Sequence, residues 1–96
     1  MALTQFAFGQ VNGDIPSMFA VGATVESEAP SGTNAATTAA ATNSQPMCRV
    51  ATDTDVYVSF GSAPNAGTDT IRFFVPAGSV EYFRVSPGSK AAVITI

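Results

Sequence analysis

Along most of this chain apolar and polar residues alternate one by one, and the runs are cut by glycine, proline and Asx pairs. That is the pattern of short, half-buried β-strands joined by tight turns. Residues 3–8 put Thr4, Phe6 and Phe8 on one face and Leu3, Gln5 and Ala7 on the other, and Gly9 ends the run. Asn12-Gly13 is a strong turn signal, with Pro16 behind it. A second extended run is predicted over 17–25, with Phe19, Val21 and Ala23 on one face. Glu26 and Glu28 then mark a return to solvent, and Pro30-Ser31-Gly32 reads as loop.

The second half is more regular. Strands are predicted over 47–51, 56–60, 70–75, 80–85 and 91–96, separated by Asp53-Thr54-Asp55, a long loop from Ser62, Pro76-Ala77-Gly78 and Pro87-Gly88. Val56, Val58 and Phe60 face one way, with Tyr57 and Ser59 opposite. Ile71, Phe73 and Val75 share a face, opposite Arg72 and Phe74. Val80, Tyr82 and Arg84 oppose Glu81, Phe83 and Val85, and the last strand groups Ala92, Ile94 and Ile96. Seven or eight strands around one core predict a single all-β domain over 1–96, an antiparallel β-sandwich or small barrel with a jelly-roll or Ig-like path.

One segment breaks the pattern. Residues 33–44 are alanine, threonine, asparagine and serine alone, without charge, aromatic ring or large aliphatic group. Interleaved Thr and Asn weaken helix formation, and no apolar stripe exists to dock a helix. Small side chains suit a loop, a flat strand or a tight interface, so 30–46 is expected to be a flexible Ala/Thr-rich loop, partial strand or arm.

Composition narrows the function classes. The chain has 96 residues, enough for one small core. Only 11% are charged and the net charge is -3, which suits a surface covered by partners and argues against nucleic acid. No apolar run reaches the roughly 18 residues needed to cross a bilayer, and the first residues lack the pattern of an export signal. The chain is therefore expected to be soluble, made in a cytoplasm, with no membrane partner. The single cysteine, Cys48, reads as a small buried hydrophobe. The chain has no histidine to serve as a base, so catalysis is not expected, and no cofactor is expected either.

The remaining chemistry is sparse. Asp53 and Asp55 flank one residue and read as turn caps, since calcium would demand a longer oxygen-ligand series; no metal site is expected. Glu26 and Glu28 would share one strand face and read as solvated edge charges. Tyr57 and Phe74 fall opposite the main apolar stripe; they either mark a binding patch or are buried by a two-sided sandwich.

Four stretches carry a resemblance: Cys48-Arg49-Val50-Ala51; Asp55-Val56-Tyr57-Val58-Ser59-Phe60-Gly61-Ser62-Ala63-Pro64; Pro76-Ala77-Gly78-Ser79-Val80-Glu81-Tyr82-Phe83; and Pro87-Gly88-Ser89-Lys90-Ala91-Ala92-Val93-Ile94. Together they resemble small virion proteins of tailed bacteriophages, over the second half of the chain. The resemblance implies a head decoration (cement) protein that binds the major capsid protein on the outer capsid surface and stabilises the head. It implies a location in the virion after assembly in the host cytoplasm. Self-association as a trimer or dimer at the lattice axes is the matching expectation. Candidate interface residues are Phe6, Phe8, Thr37, Thr38, Thr42, Tyr57 and Phe74. The alternative is a tail- or fibre-associated receptor- or glycan-binding module, with Tyr57 or Tyr82 beside Asp55 or Asn65 as the sugar platform.

Overall fold

The computed structural model describes residues 3–9, 24–43 and 45–96. The predicted turn at Asn12-Gly13 and most of the predicted strand over 17–25 lie outside these. Among the described residues eight strands form: β1 (Thr4–Gly9), β2 (Thr24–Glu28), β3 (Ala35–Ala36), β4 (Met47–Thr52), β5 (Val56–Gly61), β6 (Phe73–Val75), β7 (Val80–Arg84) and β8 (Lys90–Thr95). They make two antiparallel four-stranded sheets, β2-β1-β4-β7 and β3-β8-β5-β6. The chain is an all-β sandwich, as the alternation predicts.

The pairing is nested. β5 pairs with β6, β4 with β7 and β3 with β8, alternately in one sheet and the other. The chain thus crosses from sheet to sheet, and β1 lies between β2 and β4. The winding depends on two turns that glycine makes possible. Gly78 (φ 81°) and Gly88 (φ 87°) each take the third position of a proline-containing turn, closed by Ser79 N–H to Pro76 C=O (3.1 Å) and Ser89 N–H to Ser86 C=O (3.0 Å). Positive φ at the third turn position is a glycine conformation.

The sheets meet on Phe6 and Phe8 of β1, Cys48 and Val50 of β4, Val56 and Val58 of β5, then Val75, Val85, Ala91 and Val93. Register explains the choice of face. Phe6 stands opposite Val50 and Phe8 opposite Cys48, and Cys48 in turn faces Phe83. The hydroxyls of Thr4 and Thr52 are buried with this core and satisfy each other (3.0 Å), Thr52 donating onward to the Thr54 carbonyl (2.9 Å).

Two boundaries and one strand face differ from the sequence expectation. Glu26 and Glu28 belong to β2, because that strand continues along β1 with Glu26 opposite Phe6 and Glu28 opposite Thr4. β6 is three residues long, because Thr70, Ile71 and Arg72 turn away into the loop that precedes it. In β8 the core face is Ala91 and Val93, while Ala92 and Ile94 point to the outside of the sheet.

Candidate functional site

The segment 30–46 is tied into the sandwich. Ala35 and Ala36 pair with Val93 and Ala92, Thr37 N–H donates to Ala91 C=O (2.8 Å) and Ala41 N–H to Ser89 C=O (2.8 Å). Gly88 N–H returns a bond to Ala41 C=O (2.8 Å), and Ala41 itself is buried in the core. Small side chains are what this position needs, since the segment runs close along β8. Thr37 is buried as well: its hydroxyl accepts from Ala91 N–H (3.1 Å) and donates to Ala39 C=O (2.8 Å). Thr38 is exposed, and its N–H and hydroxyl both bond Glu26. Thr42 is exposed and bridges to Gln45.

Phe6 and Phe8 are fully buried, so the expectation that they meet a partner is corrected: in this fold they are core side chains. The alternation of β1 was read correctly, but its aromatic face turns inward, into the core shared with Val56, Val58 and Val93 of the facing sheet.

The opposite margin of the sandwich is different. Here β6 ends one sheet and β7 the other, and between them three rings gather: Phe60 lies 5.1 Å from Phe83 and 6.3 Å from Phe73, and Phe73 lies 4.9 Å from Phe83. These are productive aromatic distances, yet Phe73 is still 41% exposed. Ile71 (73%) adjoins Phe60, whereas Phe74 (52%) opens on the outer face of β6 and Val80 (43%) stands on β7 beside Leu3 and Ala51. A shallow concavity adjoins the rings, bounded by Phe60, Pro64, Asp69 and Ile71. Large side chains left in water at adjoining positions cost hydrophobic free energy, and such patches on small domains mark contact surfaces.

On the outer face of β5 and β6, Tyr57 meets Phe74 edge-on (6.2 Å, 67°) and carries the Arg72 guanidinium over its ring at 4.4 Å. Arg72 also donates to Ala66 C=O (3.1 Å), pinning the loop 62–72 against the sheet. Asn34 fastens the same loop, donating to Pro64 C=O (3.3 Å) and accepting from Ala66 N–H (2.8 Å). Gly67 packs so near Ile94 that a Cβ there would stand 3.1 Å from its Cδ1. Ser59, opposite Ala92, is fully buried, and its Oγ has no hydrogen-bond partner among the described residues.

The groups expected to form a sugar platform are engaged elsewhere. The Tyr57 ring is covered by Arg72, Asp55 accepts from Ala77 N–H (2.8 Å), and the Asn65 carboxamide accepts from Gly67 N–H (2.9 Å). Asp53 accepts from Leu3 N–H (2.7 Å), so the two aspartates of the Asp-Thr-Asp turn fasten two different strand ends. Burial alone pushes the Cys48 thiol up to about 12, well outside the range of a nucleophilic cysteine. Among the described residues no three of His, Cys, Asp and Glu gather as a metal site would require.

The sequence signal for the exposed margin was partial. Phe74 stood out because it opposed the apolar stripe, whereas Ile71 and Phe73 were assigned to that stripe. What alternation could not supply was that β6 would be an edge strand among the described residues. Set against family models, curated proteins and solved structures, the chain matches none of them.

Proposed function

We propose that this protein works by association and not by catalysis, as a bacteriophage head decoration protein seated on the outer capsid surface. The observation that carries the reading is the exposed apolar edge at β6 and the loop before it: Ile71, Phe73 and Phe74 on the two faces of that edge, beside the Phe60–Phe73–Phe83 rings. Its chemistry is that of an interface core, aromatic and poor in charge. Two further features support it. The chain is only 11% charged, and the second half resembles small tailed-phage virion proteins. A rigid sandwich presenting one sticky margin can bind weakly at each of many equivalent capsid positions and gain strength from numbers.

The test is stoichiometry on the particle. Quantitative mass spectrometry of purified virions should find the chain in a fixed ratio to the major capsid protein, and heads lacking it should take up added protein to that ratio and resist heat better. A few copies per particle, fractionating with tails, would replace this reading with the tail or fibre one.

A further inference from the structure

At the margin formed by β2 and the 33–41 segment the sheets are joined by one carboxylate. Glu26, on the inward-pointing side of edge strand β2, reaches across to the Ala/Thr segment. Thr38 N–H donates to its Oε2 at 2.9 Å and to Oε1 at 3.2 Å, the Thr38 hydroxyl donates to Oε1 at 3.0 Å, and Ala39 N–H donates to Oε1 at 3.1 Å. Two successive backbone N–H groups converging on one acceptor form an anion-holding concavity, here filled from within the chain. An ionised carboxylate accepts all of these bonds; a protonated one loses acceptor strength toward the two backbone N–H groups, which can only donate.

The surroundings make the pair sensitive to acid. Strand β1 and residues 33–43 contribute no ionisable side chain, and among the described residues the charged group that bears on Glu26 is Glu28, two positions along the same strand face. Partial burial pushes the Glu26 carboxyl up, and the bonds from Thr38 and Ala39, with one from Glu28, more than offset it, leaving it below the ordinary value. Burial, the hydrogen bond to Glu26 and its charge all push Glu28 up.

We infer that Glu26 is an acid-released clasp: in its ionised form it fastens residues 38–39 to β2, and on protonation it lets that seam open while the rest of the segment stays on β8. The second half of the inference follows from where the other bonds go. Thr37 N–H to Ala91 and Ala41 N–H to Ser89 are backbone bonds with no titratable partner. Ala35 and Ala39 pack on the core beneath the seam, so opening it bares small apolar surface at this one margin. The clasp is a property of this chain alone and does not depend on what the protein binds.

Residue-resolved amide exchange across pH tests it, read as protection factors so that intrinsic exchange is removed. Between neutral pH and pH below the ordinary glutamate range, Thr38 and Ala39 should lose about tenfold or more in protection, while Thr37 and Ala41 keep theirs. Glu26→Gln should show the low-pH pattern already at neutral pH. Glu28→Gln should keep the clasp, since an amide can still donate to Glu26 without adding a second charge. If Glu26→Gln loosens Thr37 and Ala41 as well, the wild-type titration decides. Unchanged protection of Thr38 and Ala39 through that titration, or loss spread evenly over all four amides, would overturn the inference.

Discussion

The two margins of this sandwich are closed by different means. Along the 33–41 segment the side chains are small, and backbone bonds together with the Glu26 carboxylate of β2 draw the sheets together. Along β6 and β7 the side chains are large, and rings fill the gap without covering it. Hydrogen bonds can finish a margin within one molecule, because each donor is matched locally. Aromatic surface at a margin stays unfinished until something else buries it. The contrast is the basis for the proposal that one side serves structural integrity and the other contact.

The comparison breaks most severely at the core both margins share. Phe8→Ala should destabilise the fold by about 3–5 kcal/mol in urea titration, because the ring is fully buried between the sheets. A loss near zero would mean that the sheets do not meet there.

On the fastened side Gly88→Ala should cost about 1–2 kcal/mol. Nothing stands within 4 Å of the added Cβ, so the cost is the positive φ alone, and it weakens the Ser89–Ala41 and Gly88–Ala41 bonds with it. A smaller effect of about 1 kcal/mol is expected for Glu26→Gln at neutral pH, since the clasp is in contact with water. Its sign with pH is defined. The folded Glu26 carboxyl lies below its ordinary value, so its stabilisation is present above the ordinary glutamate pKa and is lost as pH falls through the folded one. Glu28, pushed up, acts oppositely: its folded state is favoured while protonated, and that gain disappears as pH rises through its folded pKa. Thermal melts of wild type and Glu28→Gln between pH 3 and 7 should therefore diverge toward neutral pH, with the variant the more stable.

On the other sheet Ser59→Ala should be neutral or stabilising by up to about 1 kcal/mol, because the hydroxyl it removes is buried without a partner among the described residues. Destabilisation beyond that would reveal a bond to Oγ.

The fold was largely legible. Alternation places β4, β5 and β7 within a residue or so, and Pro76-Ala77-Gly78 and Ser86-Pro87-Gly88 specify turns that only a positive φ completes. Less was legible of the candidate surface, since alternation says which residues share a face but not which face is covered. Phe6 and Phe8 look like Phe73 and Phe74 in sequence, yet β1 lies inside a sheet between β2 and β4 while β6 lies at an edge. The Ala/Thr segment was ambiguous for the complementary reason: with no large side chain its place is set by backbone bonds to β8, which leave no pattern in composition.

The most direct test of the contact margin is a binding measurement on phage heads that lack this protein, comparing wild type with an Ile71→Asp, Phe74→Asp double variant. Both side chains are largely exposed, so the variant should melt within a few degrees of wild type. The account predicts that it no longer sediments with the heads while the wild type does. Equal uptake of a folded double variant would contradict it.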